Sequence, residues 1–331
     1  MDVLINDSIP ISAWHELLSR DPHATPFQSP EFYNLFNAVA GLSAQAIAIS
    51  QTNKIIALAV VTIQKEPGLK GYFSRRGIIY GGFLMDPEFT EAVDLLLQQI
   101  SLYISRKCIY LETRNFSDYS NYRESFKRNG WDYLPYLNFQ VSTSAITSLV
   151  ASISSSRMRQ IKKAIKNGVT WKEASDLKEV ESFYMILRTL YKNKIKKPLF
   201  SLNFFREFYE RDLGKYLLVW YKNEIIGGIL CPILKNQCIY EFYICGLDYE
   251  YKDQYPSIMA TWAAMEYANQ NNIPLFDFMG AGKPDEQYGV RDFKARFGGK
   301  EVEYGRFLKI GNRFLYEFGK LYLIAKLVLK I

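Results

Sequence analysis

The segments AIAISQTNKIIALAVV (residues 46–61) and YLLVWYKNEIIGGILC (216–231) read as one hairpin written twice. Each is a run of β-formers interrupted by a polar pair, Thr52-Asn53 or Lys222-Asn223, and resumed by Ile-Ile. Two apolar runs hinged on an Asn-containing turn predict a pair of antiparallel strands. Working outward, the neighbours recur in the same order. Before the first hairpin stand the helical stretches SAWHELLSR and SPEFYNLFNAVAG. Before the second stand SSSRMRQIKKAIKNG, a helix opened by the capping box of Asp176 and Glu179, and LNFFREFYERD. After each hairpin come a third strand (GIIYGGFLM; CIYEFYICGLD), a long helix (88–106; SIMATWAAMEYANQNN) and a fourth strand (IYLETRN; LFDFMG). FKRNG (126–130) then falls on FKARFGG (293–299), and the strand YLNFQVS closes the first half. Recurrence in fixed order over about 150 residues means two copies of one α/β unit. The expected domains are 1–150 and 151–331, the second with a C-terminal helix, and the junction falls near 145–155.

Length and composition agree with that division. A chain of 331 residues exceeds one ordinary core. Hydrophobic content of 48% with 23% charged residues describes a folded globular protein. The 41 Lys and Arg against 34 Asp and Glu give +7, an excess that suits an anionic ligand without naming one. Cys108, Cys231, Cys238 and Cys245 lie in apolar, strand-like sequence and form no C-x-x-C pair, as expected of reduced core residues in a cytosolic protein. The two histidines, His15 and His23, have no ligand cluster around them, which argues against a metal site or a His-based triad. The N-terminus lacks the pattern of a signal peptide, and the longest apolar run (55–63) falls far short of about 20 residues. A soluble, cytoplasmic protein is expected.

The order helix, helix, hairpin, strand, helix, strand, helix, strand is similar to the GNAT acyltransferase fold. Two tandem copies, with FQSPEFYNLF early, SSSRMRQIKKAIKNGV opening the second half and FKARFGG near the end, resemble the Fem-type aminoacyltransferases. The resemblance runs from about residue 12 to 310. It implies an α/β (α+β) fold of two GNAT-like domains, each a mixed, largely antiparallel sheet flanked by helices. It also implies transfer of an aminoacyl or acyl group to an amine of a cell-wall or surface-glycan precursor, with no bound cofactor. The donor is then aminoacyl-tRNA or acyl-CoA. The acceptor is a small-molecule or a nucleotide- or lipid-linked precursor, met in the cytoplasm or at the inner face of the membrane. Two other readings stay open: an acyl-CoA-dependent N-acetyltransferase acting on an amino sugar, and a catalytically silent relative that binds a ligand. The turn LDYEYKDQYPSIM has no glycine after Gly246, where CoA-binding relatives bare backbone donors to a pyrophosphate, so weak CoA binding is expected. The stretch 171–200 has room for one ordinary helix, so the coiled-coil arm of some Fem proteins is missing.

Acyl transfer to an amine needs a base, an oxyanion stabiliser and a proton for the leaving group. Glu241, a carboxylate inside an apolar strand that by resemblance lines the cleft, is the candidate base. The plainer alternative is a solvent-facing or Lys-paired glutamate. Asp277 in LFDFMG is a second candidate, although Glu112 at the matching place in the first copy argues for a structural task. Tyr288 stands near where relatives place a proton-donating tyrosine. Gly280 and Gly282 let backbone approach a ligand or simply turn. Tyr243, in the same strand as Glu241, is counted with the substrate-binding residues. In YGVRDFKARFGG (288–299) a helical turn is expected to bury Phe293 and Phe297 and hold Arg291, Lys294 and Arg296 toward an anionic substrate group, or else toward solvent. Arg75, Arg76 and Tyr80 near Gly81-Gly82 are expected to meet an anionic acceptor. On SSSRMRQIKKAIKNG the core stripe is expected to be Met158, Ile161 and Ile165, with Arg159, Lys162, Lys163 and Lys166 outside to meet tRNA, a membrane or water. The tail FLYEFGKLYLIAKLVLK (314–330) packs on the protein or lies on a membrane; both readings stay open.

Overall fold

The structure, a computed structural model, describes residues 1–66, 68 and 70–328. Among these, the strands in chain order are β1 (Asp2–Ile5), β2 (Leu42–Gln51), β3 (Lys54–Gln64), β4 (Arg76–Tyr80), β5 (Leu84–Met85), β6 (Tyr110–Arg114), β7 (Asp132–Leu134) and β8 (Leu137–Ser142). They continue as β9 (Thr170–Glu173), β10 (Gly214–Tyr221), β11 (Glu224–Leu234), β12 (Cys238–Tyr240), β13 (Tyr243–Gly246), β14 (Leu275–Asp277), β15 (Lys300–Glu303) and β16 (Arg306–Ile310). The chain divides into two compact units: Met1–Pro135 with the segment from Tyr304 onward, and Tyr136–Glu303. Each holds one mixed sheet, so the fold is α/β of the expected kind.

The first sheet runs β1-β2-β3-β4-β6-β16-β7, with β5 also on β3. The second runs β15-β8-β14-β12-β11-β10-β9, with β13 also on β11. In each sheet one parallel pair, β4–β6 or β12–β14, interrupts otherwise antiparallel pairing. The two hairpins match in detail. Both turn through a pair of residues at positive φ, Thr52-Asn53 (51° and 63°) and Lys222-Asn223 (49° and 63°), as a two-residue turn requires. Both slip register at the matching place, between Ile49 and Ser50 and between Val219 and Trp220.

The boundary differs from a single junction at 150/151. The stretch YLNFQVS forms β8, and β8 pairs with β14 and β15 of the second sheet. Reciprocally, β16 inserts between β6 and β7 of the first sheet. Each sheet thus takes its next-to-last strand from the other half of the chain. The helix Arg313–Val328 consequently belongs to the first unit, not to the second. A hydrophobic pattern shows that a segment is extended; it does not show which open edge offers its partners.

Each sheet is covered by a helix from its own unit. Helix Pro256–Gln270 is apolar nearly all round, with Met259, Ala260, Ala263, Ala264, Met265 and Ala268 fully buried, as a helix enclosed on every side must be. Its counterpart Ala92–Ile104 buries Leu96, Leu97, Ile100 and Ile104.

Candidate active site

Both expected third strands break in the middle, and the second break builds the site. β12 and β14 run parallel through Cys238↔Leu275, Ile239↔Phe276 and Tyr240↔Asp277, and Glu241 N–H still donates to the Asp277 carbonyl at 2.9 Å. The strands then part. β13 follows β11 (Leu230↔Tyr243), whereas Phe278 N–H stays with β8 through the Phe139 carbonyl at 3.1 Å. Between the pairings Ile233↔Ile239 and Leu230↔Tyr243, residues 231–232 lie opposite 240–242. That extra residue is a β-bulge, a device that bends a strand and re-aims its side chains. Glu241 sits in it.

Parting leaves the Phe278 and Gly280 carbonyls without a strand to accept from. Lys294, on the helix Gly289–Ala295, supplies the donors: Nζ donates to Phe278 O at 2.7 Å and Gly280 O at 2.9 Å. It also pairs with Glu241 Oε1 at 3.0 Å. An ammonium has three N–H donors, and all three are used. Lys294 and Glu241 are each only 7% exposed. The cation therefore faces inward, against the expectation that it points at a substrate anion. Glu241 Oε2 is buried and has no hydrogen-bond partner among the described residues. Burial pushes the Glu241 carboxyl above its ordinary range, and the neighbouring Lys294 offsets this only in part. The Thr261 hydroxyl, which donates to the Ser257 carbonyl at 3.3 Å, also lies near this carboxylate and lowers its pKa. The second unit thus holds a buried ion pair beside a hydroxyl.

Asp277 is differently placed. It is fully buried and accepts from Asn138 Nδ2 (2.9 and 3.0 Å), Gln140 Nε2 (2.9 Å) and Met279 N–H (2.6 Å). Asn138 Oδ1 in turn accepts from Gly280 N–H at 2.7 Å. These bonds hold a turn in which Met279 (φ 57°) and Gly280 (φ 125°) take left-handed backbone. Burial raises the Asp277 pKa against these donors. This is the structural task that its resemblance to Glu112 suggested. Glu112 is itself tied to Arg114 (2.9 Å) and Arg306 (3.0 Å).

The remaining candidates are spread out. Arg291 donates to the carbonyls of Ala281 (3.0 Å), Pro284 (3.2 Å) and Lys283, so its guanidinium holds the 281–284 loop. A Cβ at Gly282 would lie 2.7 Å from the Tyr288 ring, which packs over that glycine and is 38% exposed. Arg296 is exposed. Tyr243 lies half-buried in an aromatic group with Tyr191, Phe200, Phe205 and Phe242. Arg75, Arg76 and Tyr80 belong to the first unit. There Tyr80 is buried against Phe27 with its hydroxyl accepting from Gln64, and Arg76 donates to the same glutamine. Tyr80 is a buried residue of the first unit's core.

Sequence reasoning missed Arg157. It is 4% exposed, with its guanidinium over the rings of Phe293 (4.6 Å) and Phe297 (4.7 Å) and an N–H to the Phe293 carbonyl at 3.2 Å. Burial, with Arg296 nearby, lowers its pKa to about 10. The buried stripe of helix Ser155–Lys166 is therefore Arg157, Ile161 and Ala164, while Ile165 is 51% exposed. An arginine adds nothing to an apolar periodicity, and the aromatic rings that receive it lie more than a hundred residues away.

The first unit shows what the site would be without its charges. By the parallel register, Glu241 stands where the first copy has Ile79, which is 1% exposed. Tyr119 fills the corresponding opening, its hydroxyl 3.1 and 2.8 Å from the Gly81 and Phe83 carbonyls. Counting back four residues from the helix-ending glycines, Gly130 (φ 72°) and Gly298 (φ 80°), the buried Phe126 is matched by Lys294. Lys127, aligned with Lys294 by sequence alone, is exposed. Where the first copy places the buried Ile79 and Phe126, the second places an ionic pair.

The start of helix Pro256–Gln270, the place at which the resemblance would put a pyrophosphate, is capped from within the chain. Asp248 accepts from Ser257 N–H (3.1 Å) and from its hydroxyl (2.5 Å). A Cβ at Gly246 would lie 2.6 Å from Ser257 N, so strand and helix start are in direct contact.

A family model described as the FemAB family matches residues 221–323, a span that includes Glu241, Asp277 and Lys294. By this match that part of the chain is similar to the FemAB family. Among solved structures it is similar to FemX, at 15% identity and a TM-score of 0.72, covering 96% of this chain and 99% of that one. It is also similar to the C-terminal domain of a putative lysylphosphatidylglycerol synthetase from Agrobacterium fabrum (11%, TM-score 0.59, 96% of each chain). A third likeness is to a tandem GNAT protein from the clavulanic acid biosynthesis pathway (9%, TM-score 0.57, 94% and 99%). No curated protein sequence was found to match. At these identities the structures establish the fold, a tandem GNAT-like one.

Proposed function

We propose that this chain is an N-acyltransferase that moves an aminoacyl group from aminoacyl-tRNA to an amine of a cell-wall or surface-glycan precursor in the cytoplasm. The buried Lys294–Glu241 pair at the parting of β12 and β14 carries this reading. The acceptor amine attacks the acyl carbonyl carbon and its proton passes to Glu241 Oε2. The ester C–O bond breaks, and the leaving oxygen takes that proton from Glu241. Lys294, its three donors held by Glu241 and the Phe278 and Gly280 carbonyls, balances the carboxylate, and the pair ends as it began. A carboxylate whose pKa burial raises suits this exchange, because it is a stronger base than an ordinary carboxylate.

The capped start of helix Pro256–Gln270 favours aminoacyl-tRNA over acyl-CoA, since Asp248 already occupies the N–H group that a pyrophosphate needs. The test offers aminoacyl-tRNA or acetyl-CoA as donor with a UDP-linked muramyl peptide as acceptor. Transfer from aminoacyl-tRNA alone is expected; transfer from acetyl-CoA at an equal or higher rate contradicts the donor assignment.

A further inference from the structure

An apolar face stands uncovered in the first unit. Helix Arg313–Val328 turns Leu315 and Tyr316 inward, half-buried, with the Tyr316 ring edge-on to Tyr110 at 5.6 Å. On the other side Phe314, Phe318 and Leu321 are 79%, 54% and 65% exposed. Spacings of four and three put these residues in one stripe along the helix. Single exposed apolar side chains are ordinary, whereas a contiguous row of large ones marks an interaction surface.

Cations frame the stripe. Arg313 and Lys320 are exposed on the same helix, and its one acid among the described side chains, Glu317, is paired with Lys320 at 3.6 Å. The exposed Arg106 and Lys107 adjoin the helix start: Gly311 and Asn312 N–H both donate to Ile109 O at 2.9 Å, and a Cβ at Gly311 would lie 2.5 Å from Ser105 O. The sequence adds Lys326 and Lys330; side chains from residue 322 onward lie outside the described residues. Two copies pairing through this face would set these cations against each other, which disfavours self-association. The surface that fits must be both apolar and anionic. Among the described residues no helix is long and apolar enough to cross a membrane, so the fitting geometry is a helix lying flat.

We propose that this face docks on an anionic lipid bilayer, with Phe314, Phe318 and Leu321 at the boundary of headgroups and acyl chains and Arg313, Lys320, Arg106 and Lys107 over the lipid phosphates. The proposal stands apart from the acyl-transfer chemistry and is tested without it. Full-length protein is floated with vesicles of phosphatidylcholine alone or with 30 mol % phosphatidylglycerol (roughly the anionic fraction at which surface charge attracts basic segments). Binding is expected to be at least about tenfold tighter to the anionic vesicles and to weaken with salt. F314S/F318S/L321S is expected to lose binding by at least about tenfold without a change in melting temperature, because the removed groups are exposed. R313E/K320E should lose the preference for anionic lipid even if the triple variant folds poorly. Equal binding to both vesicles, or binding unaffected by R313E/K320E, overturns the proposal. So does a concentration-dependent dimer that only wild type forms, which would assign the face to a second copy.

Discussion

Replacing Lys294 by Ala removes the cation from a site that is 7% exposed, and Glu241 is left there without its counter-charge. The Phe278 and Gly280 carbonyls lose their donor as well. Breaking one partner of a buried pair costs about 3–5 kcal/mol, so Lys294→Ala should unfold well below wild type in a denaturant titration. Had this lysine faced solvent, as the spacing of cations and rings suggested, the same change would cost little. The carboxylates make a second, opposite pair of expectations. Glu241 has a folded pKa above its ordinary 4.5, so it disfavours folding once ionised. Relative to Glu241→Gln, wild type should therefore lose stability as pH rises from 4.5 through the raised value. For Glu112, burial acts upward, but Arg306 and Arg114 together bring its pKa below 4.5. Its stabilisation, measured against Glu112→Gln, should be full above 4.5 and vanish as pH falls through the lowered value. Parallel melts of the three proteins across acid pH separate the two signs. The identity of Glu241 as a charge out of place was legible in its strand. Its partner was not, because Phe293 and Phe297 do meet as expected (5.4 Å) yet Arg157 lies over both rings and Lys294 turns inward.

At the level of elements, the site depends on strands that pair and then separate, with a helix seated on the gap. Gly246 and Gly227 allow that seating: a Cβ at Gly227 would lie 2.7 Å from Cys245 O, and one at Gly246 meets Ser257 N and Oγ at 2.6 Å. Backbone on both sides cannot yield, so Gly246→Ala should push helix Pro256–Gln270 outward and cost about 1–3 kcal/mol, read as a lower melting temperature. The helices and hairpins themselves were legible from periodicity and turn residues. The break in GIIYGGFLM is marked by Gly81-Gly82, both at positive φ, whereas CIYEFYICGLD has β-formers on both sides of Glu241 and no turn residue at its break. What breaks CIYEFYICGLD is the change of register against β11, a property of the pair and not of either segment.

For the whole molecule, the exchange of β8 and β16 decides which fragments can fold. A fragment of residues 151–331 lacks β8, which joins β14 to β15, whereas residues 136–303 contain every strand of the second sheet. The shorter fragment should therefore give a cooperative melt and dispersed amide resonances while the longer one does not. The duplication behind this was legible in the paired hairpins; the exchange was not, since each strand stands in sequence beside the unit it leaves. Duplication also frames the central claim, which is that Glu241, paired with Lys294, exchanges a proton in the second copy where the first has Ile79 and Phe126. The most direct test is the pH dependence of single-turnover aminoacyl transfer by wild type and Glu241→Gln, each shown to be folded at every pH used. Wild type should lose activity on the acid side with an apparent pKa above 4.5, and Glu241→Gln should be slower by about 10²–10⁴-fold with that acid limb gone. A Glu241→Gln protein that transfers at the wild-type rate with the same acid limb would contradict the account.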